Sequence, residues 1–176
     1  DDGSCVYALT YVPDDNFEAY LEANNMGNGV ANDDYVFTYN INTVTSLFSL
    51  FNLNISDLTG IEDFIALEAL NCESNQLTSL DLSNNTALTY LNCSGNQLAL
   101  LDLNTNINLQ TLRCYSNNIT TLDLSQQSNL VGVSCGNNQL TSLNVKNGNN
   151  HNIWLTFFNI SSNPNLLCVE VDDPVY

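Results

Sequence analysis

Basic residues are scarce in this sequence. Only Arg113 and Lys146 are basic among 176 residues, against 19 acidic residues, which gives a net charge of −17. A surface this negative repels nucleic-acid phosphates and anionic lipid head groups, so neither is an expected partner, whereas cations and neutral ligands stay open. The sequence also lacks an apolar run of about 18 residues, so we predict no insertion into a membrane.

Residue patterns of known catalytic sites are also missing. The single histidine, His151, lies in a loop-like run of glycine and asparagine, where a lone histidine is far more often a solvated side chain than a general base. We find no G-x-S-x-G, H-E-x-x-H or glycine-rich phosphate loop. The sequence therefore predicts a protein that is not an enzyme and uses no cofactor.

The beginning of the chain and its composition bear on where the protein works. Residues 1–5 read Asp-Asp-Gly-Ser-Cys, without an initiator methionine or a signal sequence, so we interpret the chain as a mature protein or a piece of a longer one. Few lysines and arginines beside many asparagines, serines, threonines and aspartates are typical of an extracellular surface. We predict an extracellular or cell-surface location.

A period of 21 residues dominates the middle of the chain, where the differences between successive cysteine positions, 93−72, 114−93 and 135−114, are all equal to 21. The recurring positions are Cys72, Cys93, Cys114 and Cys135 (the cysteine row), Asn75, Asn96, Asn117 and Asn138 (the asparagine row), and Leu80, Leu101, Leu122 and Leu143. Residues 88–98 read L-T-Y-L-N-C-S-G-N-Q-L, which matches the leucine-rich-repeat signature L-x-x-L-x-C-x-x-N-x-L. Each unit also contains a weaker copy of this pattern, as in residues 77–85. We therefore expect two short strands in each coil.

The fold predicted from this period is mainly β. It is a leucine-rich-repeat solenoid of 21-residue coils with parallel strands, a short N-terminal capping helix and an irregular C-terminal cap, because the two open ends of such a stack need covers. The predicted parts are 1–10 as a linker or the tail of a preceding module, 11–43 as the N-terminal cap, 44–150 as the solenoid and 151–176 as the C-terminal cap.

Two sets of apolar residues are expected to form the covers. At the N-terminal end, Asp14 or Asp15 begins a helix that places Phe17, Tyr20 and Leu21 on one face, and a short helical turn is expected at 61–64. At the C-terminal end the bulky apolar residues are Trp154, Phe157, Phe158, Leu166 and Leu167.

Several segments resemble a known family. Residues 11–21, residues 55–64 and the 21-residue units resemble the leucine-rich-repeat region of large secreted or cell-surface proteins of Bacteroidota, and 55–64 is also similar to internalin-type repeats. Residues 1–5 resemble the tail of a small cysteine-containing module that precedes such regions. The resemblance implies an extracellular binding or adhesion scaffold without shared catalytic residues. The sequence departs from typical leucine-rich repeats, since a second strand replaces the convex helix.

The cysteines permit several interpretations. Stacked about 4.8 Å apart, the cysteine row would be about 14 Å long, so its sulfurs could not converge on one zinc ion. Disulfides between neighbours are harder to exclude, but stacked side chains point the same way. We interpret the row as small buried apolar side chains. For Cys5 and Cys168 we expect any partners in flanking sequence, and a bridge between the two is the alternative.

A row of carboxylates raises the question of calcium. Asp81, Asp102 and Asp123 recur with the same period and are expected to face solvent on the second strand. One interpretation is calcium bridging neighbouring carboxylates, with nearby side-chain oxygens as further ligands. We favour a solvated acidic face without a metal, because the row lacks the clustered loop ligands of a dedicated site.

The outward positions of the first strand form the candidate binding site. They bring together Tyr90, Asn92, Arg113 and Tyr115, and tyrosine and arginine are enriched in binding hot spots. The alternative is that Arg113 only offsets local acidity near Glu73 or the aspartate row. We predict recognition of a protein or a surface glycan by this face. A structural spacer within a larger secreted protein is the alternative function.

Overall fold

The computed structural model of the protein describes residues 7–152 and 157–172. The expectations about Cys5 and Trp154 therefore lie outside the described residues.

An antiparallel hairpin and a capping helix form the N-terminal end. The elements there are strand β1 (Leu9–Tyr11), helix α1 (Asp15–Ala23), strand β2 (Tyr35–Phe37), which pairs antiparallel with β1, and helix α2 (Thr38–Ile41). The Asp14 carboxylate accepts hydrogen bonds from the backbone N–H groups of Asn16 and Phe17 and so caps α1. Phe17 and Leu21 are fully buried, whereas Tyr20 is only partly buried. The predicted capping helix is confirmed.

Short parallel strands build the rest of the described chain. Their bounds are β3 (Ser46–Leu47), β4 (Ala69–Asn71), β5 (Tyr90–Asn92), β6 (Thr111–Arg113), β7 (Thr121–Asp123), β8 (Gly132–Ser134), β9 (Ser142–Asn144), β10 (Phe158–Asn159) and β11 (Cys168–Glu170). A 3-10 helix at Ile61–Asp63 matches the predicted helical turn. Strands β3, β4, β5, β6, β8 and β10 form one parallel sheet in that order, and β7, β9 and β11 form a second.

The pairing register reproduces the period of the sequence. Leu70 lies beside Leu91, Leu91 beside Leu112, and Leu112 beside Val133. Each step to the next strand therefore advances by one sequence period, since 91−70, 112−91 and 133−112 are equal. The cysteine row is fully buried together with the repeat leucines. The predicted mainly β solenoid of parallel strands is confirmed.

The asparagine row holds the corners where the strands end. The Asn96 amide donates to the carbonyl oxygens of Cys93 and of Cys72 in the preceding coil, at 3.0 and 3.1 Å. Its Oδ1 accepts from the backbone N–H of Leu77, also in the preceding coil, at 3.0 Å. Asn117 and Asn138 repeat this pattern. Each inward amide thus pairs backbone groups that have no strand partner at the bend.

The first two repeats have no second strand at the segments equivalent to β7 and β9. The prediction of a second strand in every coil was therefore wrong. A groove of about 520 Å³ lies between the equivalent segments, residues 78–83 and 99–105. In the later coils, the backbone N–H and hydroxyl of Thr141 both donate to the carbonyl of Thr120, at 2.8 and 3.1 Å. Ala99 occupies the equivalent position in the second repeat. It has no hydroxyl, and alanine has a lower strand preference than threonine.

The C-terminal strands continue both sheets with a longer step along the sequence. Phe158 lies beside Val133, and Val169 beside Leu143, so the sequence differences 158−133 and 169−143 both exceed the regular period. Leu166 packs against the core, but Leu167 is 90% exposed, so its predicted covering role was wrong. The regular period therefore ends after β9, while the parallel pairing continues.

Candidate binding face

Parallel pairing places three of the four predicted site residues, Tyr90, Asn92 and Arg113, in two neighbouring rows at the outward positions of the six-stranded sheet. The first row contains Ala69, Tyr90, Thr111 and Gly132, and the second contains Asn71, Asn92, Arg113 and Ser134. Strands β5 and β6 each have a paired strand on both sides. The backbone beneath the candidate site is therefore fixed by hydrogen bonds along both strand edges.

Tyr90 and Arg113 contact each other across β5 and β6. The guanidinium carbon of Arg113 lies 6.0 Å from the centre of the Tyr90 ring. The other neighbour of Tyr90 is Phe48, whose ring centre is 5.5 Å away. Sequence reasoning missed Phe48, which is 53% exposed, because it follows the irregular strand β3, outside the regular period. The three side chains form a continuous aromatic and cationic surface.

The Arg113 guanidinium is exposed and has no ionic partner in the described part of the chain. No carboxylate of those residues lies within 4.0 Å of it. Glu73 instead accepts a hydrogen bond from the side-chain amide of Asn92, at 2.9 Å. Arg113 and Glu73 therefore form no ion pair, and the alternative that Arg113 offsets local acidity through space stays a prediction. Asn92 itself is only 3% exposed, so it has little surface for contact with a ligand. It would act on a ligand indirectly, by holding the Glu73 side chain in position.

A groove of about 600 Å³ runs along the face beside Arg113. Tyr90 and Arg113 border it on one side and Phe157 on the other, above a floor that includes Thr111 and Gly132. A side chain at position 132 would touch Phe157, since a Cβ there would lie 3.4 Å from the Phe157 Cβ. Glycine thus keeps this part of the floor open. The sequence suggested Phe157 only as cap cover, because the longer step that sets it beside Gly132 has no counterpart in the repeat pattern.

Tyr115 lies on the same face but does not line the groove. It is 42% exposed and packs over Gly136, where a Cβ would lie 3.2 Å from Tyr115 Cδ2. The structure therefore brings Tyr90 and Arg113 into one site, places Tyr115 beside it, and buries Asn92.

The aspartate row faces solvent on the other side of the coil. Asp81, Asp102 and Asp123 each accept a hydrogen bond from the backbone N–H two positions ahead. The bonds from the backbone and side chain of Ser83 lower the pKa of Asp81. Within residues 7–152 and 157–172, no group of three or more histidine, cysteine, aspartate or glutamate side chains is placed to hold a metal ion.

The cysteine row carries protonated thiols. Burial, and next the neighbouring cysteine, raise the pKa of Cys72, Cys93 and Cys114 well above the ordinary thiol value, and burial raises the pKa of Cys135 to about 12. None of the four is in a disulfide, and Cys168 is exposed. The thiolate is the reactive form of cysteine, so we expect the buried row to react slowly with thiol reagents in the folded protein.

The fold is a leucine-rich-repeat solenoid of parallel strands, and it is similar to solved internalin structures. No protein-family model matches the chain. Internalin J of Listeria monocytogenes serotype 4b (strain F2365) is 38% identical over 76 residues, which are 43% of this chain and 8% of Internalin J.

Solved internalin structures are similar over more of the chain. The functional domain of InlJ from Listeria monocytogenes, described as including a cysteine ladder, aligns with a TM-score of 0.78 and 36% identity over 92% of this chain and 35% of that one. Internalin InlF of Listeria monocytogenes strain 4b F2365 aligns with a TM-score of 0.57 and 20% identity over 77% of this chain and 50% of that one, which shows the fold alone. In the described part of the chain, no helix has the length and apolar character needed to cross a bilayer.

Proposed function

We propose that this chain is a non-catalytic extracellular module for recognition or adhesion, which binds a protein or a surface glycan through the outward face of the six-stranded sheet. The observation that carries the proposal is the exposed Arg113, which lies over Tyr90 without an ionic partner in the described chain. In a protein with 19 acidic residues, an arginine left unpaired beside an aromatic ring is available to a ligand.

The rigidity of the face supports the same proposal. The side chains that would meet a ligand extend from paired strands, so little backbone freedom is lost on binding. Tyrosine and arginine contribute strongly when they lie at the centre of an interface. The similarity to the functional domain of InlJ is consistent with a binding module, although this chain spans only part of that protein.

Glycan and protein arrays probed with the wild type and with Arg113→Ala test the proposal. Lys146→Ala is the matched control, because it removes the only other basic side chain and lies just after β9, a strand of the second sheet. Ligands of the face should lose signal with Arg113→Ala and keep it with Lys146→Ala. If no array ligand is found, or if every ligand binds both variants equally, the spacer function becomes the better account.

A further inference from the structure

Among the described residues, those that line the groove beside Arg113 carry no acidic side chain, although the protein as a whole is strongly acidic. The groove lining consists of aromatic, aliphatic, hydroxyl and amide residues with one guanidinium, and includes neither aspartate nor glutamate. Among the described residues, the guanidinium has no carboxylate within 4.0 Å. We propose that this groove binds a carboxylate-bearing sugar, such as a uronic or sialic acid, an inference that rests on the proposed function of the face.

The single arginine accounts for the carboxylate. A guanidinium presents two parallel N–H groups that match the two oxygens of one carboxylate. Because the groove holds one cation and the whole chain carries −17, one negative charge is complementary to it, whereas a polysulfated or polyphosphorylated chain would be repelled by the surrounding field.

The other lining residues suit a sugar ring. Tyr90 and Phe157 border the groove on opposite sides, and the carbon atoms of their rings can contact the apolar face of a pyranose. Thr111 and Ser134 add hydroxyl groups between them. The Oδ1 atom of Asn159 accepts from the backbone and hydroxyl of Ser161, so the amide nitrogen of this lining residue is the atom that can donate to a sugar hydroxyl.

The same geometry disfavours an acidic peptide. An extended peptide usually binds by adding to a free strand edge through main-chain hydrogen bonds. Strands β6 and β8 each pair with a neighbour on both sides, so their backbone groups are engaged and only side chains face the ligand. A volume of about 600 Å³ is also that of a small-ligand site.

Titration calorimetry with methyl glycosides of galacturonate, glucuronate and N-acetylneuraminate tests this inference. The methyl ester of each sugar is the control ligand, because it keeps the ring and removes the charge. At least one acid should bind, with an affinity about 10-fold or more above that of its ester, since a hydrogen bond to a charged group contributes this much. Arg113→Gln should remove that preference, and Lys146→Gln should preserve it.

Three results would overturn the inference. Equal binding of an acid and its ester would show a neutral sugar site, which leaves the proposed function intact. Binding of an aspartate- or glutamate-containing peptide that depends on Arg113, without binding of any sugar acid, would make the ligand a peptide. Absence of binding by all these probes, while array ligands still depend on Arg113, would reject the sugar acid alone. Unchanged melting temperatures of the variants show that each comparison is made on folded protein.

Discussion

Replacing Asn96 by alanine tests how the solenoid corners are stabilised. The Asn96 amide donates to the carbonyl oxygens of Cys72, Cys93 and Ser94, and its Oδ1 accepts from the Leu77 N–H. The consequences for these four groups differ. Each carbonyl keeps a second donor, from Asn75, Asn117 and the backbone of Ser74 respectively. The Leu77 N–H keeps none.

The expected loss of stability follows from this difference. The orphaned, buried N–H costs about 1–3 kcal/mol, and the weakened carbonyl bonds add roughly 1 kcal/mol together. We expect Asn96→Ala to reduce the free energy of unfolding by about 2–4 kcal/mol, which corresponds to a fall in Tm of roughly 5–15 °C for a chain of this size.

Asn84→Ala is the matched control for this experiment. Asn84 is exposed and lies in the preceding coil, so its loss should cost less than about 0.5 kcal/mol. Thermal and urea unfolding followed by circular dichroism measure both variants. Equal shifts for Asn96→Ala and Asn84→Ala would refute the corner role of the asparagine row.

Three further predictions address the cysteines, the cap and the ligand. Alkylation of unfolded, non-reduced protein should modify the whole cysteine row, and a pair that resists alkylation would show a disulfide instead of buried thiols. Burial raises the pKa of Cys135 to about 12 in the folded protein. The free energy of unfolding should therefore fall as the pH rises above 9, where the thiols of the unfolded chain ionise. Asp14→Ala should lower the free energy of unfolding by about 2–4 kcal/mol at pH 7, because Asp14 caps α1 and also accepts three bonds from Ser56 and Asp57. Burial alone would raise the pKa of Asp14, but the hydrogen bonds outweigh burial, and the net pKa is lowered. The stabilisation by Asp14 is therefore present above pH 3.8 and is lost as the pH falls through the lower pKa of the folded protein. An equal effect of Asp14→Ala at pH 2 and at pH 7 would contradict this. Affinity for an anionic ligand of the sheet face should rise with ionic strength, because salt screens the repulsion by the net charge of −17. Affinity for a cationic ligand of the aspartate row should instead fall with ionic strength. Titrations of Arg113→Ala and Asp102→Asn at two ionic strengths show which of the two faces binds the ligand.

The regular part of the fold could be predicted because each coil repeats the same arrangement of buried residues. Buried positions recur once in every coil, so the leucines, the cysteine row and the asparagine row identify the coil, its core and its corners. The capping helix could be predicted because Asp14 and the spacing of Phe17 and Leu21 are local signals. These features depend on neighbours within one or two coils.

The irregular features depend on contacts that the period does not encode. A second strand fails to form near Ala99. Strand pairing depends on the residues of two neighbouring coils, whereas the Leu-x-Leu pattern describes the residues of a single coil. The groove needs Phe157, which reaches Gly132 through a step longer than the repeat. Asn92 has an outward position in the pattern, yet it is buried, with its amide bonded to Glu73. Tyr90 and Arg113 could be paired from sequence since they lie one coil apart.

Solution NMR of the labelled protein with a ligand taken from the arrays tests the binding face most directly. We expect the largest amide shift changes on β5, β6 and β8, and we expect Arg113→Ala to remove them. Changes centred on β7 and β9, or on the hairpin of β1 and β2, would place the binding site elsewhere and refute the proposed binding face.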